Sequence, residues 1–171
     1  MVFKLILGLS LFLVTSCAIS VSTISGTTPS DAKSIYIPIV YNQIGAGPPD
    51  MSQVFTEVLR EYFQRNTKLE ITKVDIPGQL ILEGSISGYS VTPISPTSSN
   101  GVERGAQNRL TMTVKMKYTN PFDKTTDFSQ PFSYFKDFDG SQSLSDVENE
   151  LTEEIYEQMT ILIFNKSFDN W

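Results

Sequence analysis

The chain has one cysteine, at position 17, and it follows an apolar run and the small residues Thr15 and Ser16. A thiol is the strongest nucleophile among the ordinary side chains. The segment Leu13-Val14-Thr15-Ser16-Cys17 resembles a lipobox. There the thiol takes a diacylglycerol, and small residues before it let the chain enter the cleft of the signal peptidase. The competing reading is an ordinary secretory signal with a chance cysteine. The placement of a single cysteine at the boundary of the apolar run favours lipidation. Two or more acyl chains hold a protein stably at a membrane, with each buried CH₂ contributing roughly 0.8 kcal/mol.

Other reactive chemistry is scarce. The chain has no histidine, so the usual general base, a triad member and the commonest transition-metal ligand are missing together. A lone cysteine closes no internal disulfide and builds no zinc site without histidines. Glu150, Glu153, Glu154 and Glu157 offer paired carboxylates, but such a run reads better as the solvated face of a helix. Asp137-Phe138-Asp139-Gly140-Ser141, followed by Glu148, imitates the oxygen spacing of a calcium loop. Gln142 stands where that loop requires glycine, and a plain strand-to-helix turn is the better account. The reading is therefore of a protein with no catalytic residue, metal or cofactor. The net charge is -6, and no basic run with interleaved aromatics occurs, which argues against nucleic acid as a partner. Against that acidic background, Arg109, Lys115 and Lys117 lie on one side of an alternating segment. They form a local positive strip: either a solvated sheet face or a contact for anionic head groups or a partner's acidic wall.

The elements that carry these residues follow from patterning. Lys4 and the apolar residues 5–14 make a signal peptide, residues 1–16. Its apolar run of about ten residues is too short to cross a bilayer core of roughly 30 Å. Residues 17–33, rich in Ser, Thr and Ile, form the lipidated N-terminus and tether. Residues 34–171 form one domain, and 40% hydrophobic against 19% charged residues supports a packed core. Residues 34–40 read as a strand, with Pro38 marking an edge or an end. Asp50, with Gln53 three residues on, should cap a helix whose stripe is Met51, Val54, Phe55, Val58, Leu59, Tyr62 and Phe63. Residues 69–74 and 79–92 read as strands around a Pro77-Gly78 turn, and 93–105 as a loop. Residues 109–118 alternate, with Leu110, Met112, Val114, Met116 and Tyr118 on one side. Residues 127–138 alternate again, interrupted by Pro131. A last helix begins at Ser143 or Ser145, with Ser145 and Glu148 as a capping box and Leu144, Val147, Leu151, Ile155, Met159 and Leu162 as its stripe. The order β-α-β-β-β-α predicts an α+β fold. Two amphipathic helices would pack on one face of a mainly antiparallel four-stranded sheet.

The ordered set of segments resembles the LptE family of lipopolysaccharide-assembly lipoproteins. It comprises the lipobox at Cys17, the strand near 35–40, the helix Gln53-Val54-Phe55-Thr56-Glu57-Val58-Leu59-Arg60 and the stretch Leu82-Glu83-Gly84-Ser85-Ile86-Ser87-Gly88-Tyr89-Ser90-Val91. It continues with Asn108-Arg109-Leu110-Thr111-Met112-Thr113-Val114, the turn Phe135-Lys136-Asp137-Phe138 and the ending from Ile163 to Trp171. The resemblance implies a lipid-anchored plug and assembly factor inside the outer-membrane β-barrel translocon LptD, on the periplasmic side or within the lumen. Such a protein helps lipopolysaccharide reach the outer leaflet. Ala18, where an acidic residue would suggest retention at the inner membrane, also fits the outer membrane. The family's link between basic sheet residues and lipopolysaccharide makes Arg109, Lys115 and Lys117 candidates by position and chemistry. One alternative is a glycan- or ligand-binding envelope lipoprotein, which needs an aromatic cleft beyond exposed residues such as Tyr89 and Tyr118. An envelope enzyme is disfavoured by the missing histidine and nucleophile motif.

Overall fold

The computed structural model describes residues 32–94 and 106–168. The signal peptide, Cys17, nearly all of the tether, most of the expected 93–105 loop and the last three residues lie outside the described residues.

The first expected strand is two. β1 (Ser34–Tyr36) and β2 (Tyr41–Asn42) are separated at Pro38, which has no N–H to offer a ladder. Both run parallel to β4 (Leu80–Ile94). Their registers differ by one residue: Ile35 faces Leu80, an offset of 45, and Tyr41 faces Ser85, an offset of 44. α1 (Met51–Asn66) then crosses back and leads to β3 (Glu70–Thr72), parallel to β1. β5 (Gln107–Thr119) and β6 (Phe128–Asp139) complete an antiparallel meander with β4. α2 (Leu144–Phe168) ends the described chain.

The sheet is therefore mixed and six-stranded, ordered β3-β1-β4-β5-β6 with β2 also on β4, not a mainly antiparallel sheet of four. The parallel half follows from α1, because a helical crossover returns the chain in the same direction. The α+β class and the two helices on one face stand. β4 extends to Ile94, so Pro93 and Ile94 belong to the ladder and not to the loop. β6 is an edge strand, and its Pro131 sits where a missing donor is tolerated.

The alternating residues Leu110, Met112, Val114, Met116 and Tyr118 are all buried. β4 changes parity at a bulge between Ile86 and Gly88. Before it, Leu82 and Ile86 face the core; after it, Tyr89 and Val91 sit opposite Met112 and Leu110. α1 buries Met51, Phe55, Leu59 and Phe63, and α2 buries Leu151, Ile155, Met159 and Ile163. The helices meet through Phe55–Tyr156 at 5.6 Å and Phe63–Phe164 at 5.1 Å between ring centres. Val54 and Leu162, expected in the stripes, are exposed, because each helix shares its apolar arc between sheet and neighbour.

Two polar residues of α1 close the gap in the first strand. Arg60 donates from Nε and Nη2 to the Ile37 carbonyl at 3.0 and 2.6 Å, and Thr56 Oγ1 accepts from Val40 N at 3.0 Å. Backbone groups left without a ladder partner are thus satisfied in the interior. The expected caps differ. Asp50 holds the N-cap position without a side-chain cap bond. α2 starts at Leu144, so Ser145 lies inside its first turn, and Glu148 accepts from Tyr89 Oη at 2.6 Å.

Candidate functional site

The outward side of β5 carries Arg109, Thr111, Thr113, Lys115 and Lys117, opposite in direction to the buried set. The structure brings the three basic residues to one face, as the alternation requires, but it does not leave them equivalent. Arg109 stands opposite Asp137 in the β5–β6 ladder and grips it with two bonds, Nε to Oδ1 at 2.7 Å and Nη2 to Oδ2 at 2.9 Å. Its guanidinium also lies 3.6 Å from the centre of the Phe135 ring. The bidentate capacity expected for a ligand is thus used within the sheet. The Arg109 hydrogen bonds hold the Asp137 carboxyl below the usual carboxylate range.

Lys117 lies opposite Glu83 and donates to it at 2.8 Å, which raises the Lys117 pKa above that of an ordinary lysine. Lys115 is different. Its cross-strand neighbours are Ser85 and Pro131. It is exposed and makes no ion pair among the described residues. The strip therefore reduces to one free ammonium flanked by two internally compensated cations.

Lys115 and Lys117 border a groove of about 410 Å³ whose other wall includes Tyr36, Pro38, Ile39 and Tyr41. Ile39 and Tyr41 are each 59% exposed. Ile39 lies in the Pro38 break, outside the ladder, whereas Tyr41 is paired in β2 opposite Ser85, with the buried Val40 between the two. Sequence patterning alone does not reveal this wall. Its signal is the proline inside an apolar, β-branched run, which by itself marks a strand edge or end and does not say that apolar side chains turn outward there. Conversely, Tyr118 is buried and Tyr89 half-buried against Glu148, so neither is the exposed aromatic expected. Burial, followed by the nearby Asp127 charge, raises the Tyr118 pKa.

The remaining carboxylates are dispersed. Asp139 accepts from Ser141 N and Oγ at 2.8 and 2.5 Å, closing the turn before α2, and those bonds lower its pKa. Glu154 pairs with Lys136. Glu148, Asp137 and Asp139 thus serve three separate local structures. Among the described residues no group of three or more His, Cys, Asp or Glu is placed to hold a metal ion. Among them, too, no helix is long and apolar enough to cross a membrane.

The LptE family model, described as lipopolysaccharide-assembly, matches residues 32–167. The chain belongs to the LptE family. The match takes in both helices but for the last residue of α2, every strand and the Lys115 face. No curated protein sequence matches this LptE-family chain. Among solved structures, a minor lipoprotein from Acinetobacter baumannii is 10% identical, with a TM-score of 0.48 over 77% of this chain and 91% of that one. The hypothetical protein CT253 from Chlamydia trachomatis is 8% identical, with a TM-score of 0.49 over 80% and 98%. The rare lipoprotein B from Shewanella oneidensis is 13% identical, with a TM-score of 0.46 over 78% and 90%. The family match, not these distant likenesses, identifies the chain.

Proposed function

We propose that this LptE-family protein is an outer-membrane lipoprotein, anchored through Cys17. In this reading it acts with a β-barrel translocon of the LptD kind in lipopolysaccharide transport and assembly, as a plug and assembly factor without catalytic activity. The free Lys115 ammonium beside a groove with one apolar wall carries the reading at the level of residues. An ammonium with no internal partner can meet a phosphate or a carboxylate without first breaking a salt bridge. The Ile39 and Tyr41 wall offers an apolar surface alongside that charge, which suits an amphipathic anionic ligand. Arg109 and Lys117 contribute to the same contact only after releasing Asp137 and Glu83.

Lys115→Glu should leave the fold intact, because the side chain is exposed. It should weaken lipopolysaccharide binding, capture of the barrel protein, or both, and the loss should be larger at low salt, where screening is weaker. Lys117→Glu and Arg109→Glu should weaken them less. A Lys115→Glu protein that matches wild type in both assays at two salt concentrations would reduce this face to a wet sheet surface. The anchor has its own test. A clickable fatty acid should label the wild-type protein and not the Cys17→Ala protein, and equal labelling of both would remove the lipidation reading.

One observation favours a second reading, a glycan- or ligand-binding lipoprotein: Tyr36 and Tyr41 line the same groove. Loss of binding to a soluble glycan in Tyr36→Ala and Tyr41→Ala, with Lys115→Glu unaffected, would select it.

A further inference from the structure

At one end of the sheet β1, β3 and β4 begin and β5 turns into β6. Ser34 is level with Glu70, Ile35 with Leu80, Ile81 with Thr119 and Tyr118 with Phe128. Ala32, from which the chain runs back toward Cys17, belongs to this end. So does the end of α2, where Phe168 packs on Tyr118. Two neighbouring loops close it. Residues 73–79 lead into β4 and carry Val74 and Ile76, 67% and 49% exposed. Residues 120–127 join β5 to β6 and carry Phe122, 44% exposed.

Both loops are braced from within. Gln79 donates to the Val74 carbonyl at 3.1 Å and accepts from Thr72 Oγ1 at 2.9 Å. Asn120 Oδ1 accepts from Phe122 N at 2.9 Å, and Asp127 accepts from Asn120 N at 2.7 Å. The apolar tips are thus held in place, which lowers the ordering cost of any contact they make.

Charge separates the two ends. Here the exposed Lys33, Lys68, Lys73, Lys124 and Lys166 slightly outnumber Glu70, Asp75, Asp123 and Asp127. The far end carries Asp139, Asp146, Glu148, Glu150 and Glu153, while its described cations Arg109 and Lys136 are already paired. An anionic bilayer surface repels the acidic end and not this one.

We infer that, while the protein is not seated in a barrel, the end bearing Val74, Ile76 and Phe122 docks on the phospholipid surface that the acyl anchor enters, with these side chains seated at head-group depth. The inference rests on the Cys17 anchor and not on the barrel partnership. The anchor does not enforce it. A 15-residue stretch from Cys17 to Ala32 reaches up to about 50 Å when extended, which leaves the domain free to stand away from the surface.

The test uses the full-length acylated protein in phospholipid vesicles. An environment-sensitive fluorophore is placed at Ile76→Cys or Phe122→Cys, with Ser141→Cys as the far-end control. Cys17, once acylated, does not compete for the label. A lipid-borne quencher should act several-fold more strongly at 76 and 122 than at 141, and an aqueous quencher should show the reverse order. Vesicle-bound protein whose labels at 76 and 122 respond like that at 141 overturns the docking while leaving the anchor intact. Labels shielded from the aqueous quencher yet untouched by the lipid-borne one overturn it in favour of a protein contact. Protein that carries no acyl group and does not float with the vesicles overturns the anchor, and the docking falls with it.

Discussion

Three basic side chains of one strand differ because of what stands across the ladder from each. Arg109 meets Asp137, Lys117 meets Glu83, and Lys115 meets a serine and a proline. A binding face read from charge alone would weigh the three equally, whereas the cross-strand partners leave one available. The Arg109–Asp137 pair should act as a clasp between β5 and β6 of the modest strength usual for exposed ion pairs, weakened by salt. Its pH dependence has a definite sign. The Asp137 carboxyl is held below its ordinary value by Arg109, so the contribution is present above the usual aspartate pKa of about 3.9 and disappears as pH falls toward the lowered value. A double-mutant cycle of Arg109→Ala and Asp137→Ala should show favourable coupling at neutral pH and none in strong acid. Coupling that persists unchanged in acid would mean the residues interact through packing alone.

α1 illustrates how an element with two neighbours spreads its contacts. Leu59 is fully buried, while Val58, one position before it, is only partly so because it faces the groove between the helices. Leu59→Ala should cost about 2–5 kcal/mol, and Val58→Ala distinctly less, as read from denaturation midpoints. Equal costs would show that the helix is rotated from the position described. Arg60 tests the same helix by its polar side. It reaches across the core to the Ile37 carbonyl, so Arg60→Leu keeps apolar bulk but leaves that oxygen unsatisfied. A loss of roughly 1–3 kcal/mol is expected, with faster amide exchange around residues 37–40. No change in either would mean the strand break is stable without its brace.

Across the domain, titration at neutral pH is muted because no histidine is present. The response lies on the alkaline side. Tyr89, Tyr118 and Tyr156 are all raised above an ordinary phenol, chiefly by burial, with Tyr156 pushed up to about 12. The folded state therefore prefers the neutral phenols. Their contribution is complete below the unfolded value of about 10 and is lost as pH rises beyond it. The midpoint of chemical denaturation should fall above that pH. Tyr118→Phe should flatten the fall, because the Tyr118 hydroxyl has no hydrogen-bond partner among the described residues and its removal costs little at neutral pH. An unchanged alkaline slope in that variant would show that Tyr118 is not among the groups responsible.

Periodicity sufficed for much of this fold. The period-two run 109–118 set which side of β5 is buried, and the apolar spacing in 51–63 and 151–159 set where the helices lie. Composition excluded histidine chemistry, and the ordered segments carried the LptE resemblance. All of these depend on residues close in sequence or on the whole chain's content. The parallel half of the sheet, the parity change in β4, the burial of Thr56 and Arg60 and the groove beside Pro38 depend on residues far apart in the chain. So does the ranking of Lys115 above Arg109 and Lys117, since Asp137 lies 28 residues from Arg109 and Glu83 lies 34 from Lys117. A cation's availability is a property of its partners in space, and alternation in sequence names a face without naming what stands opposite.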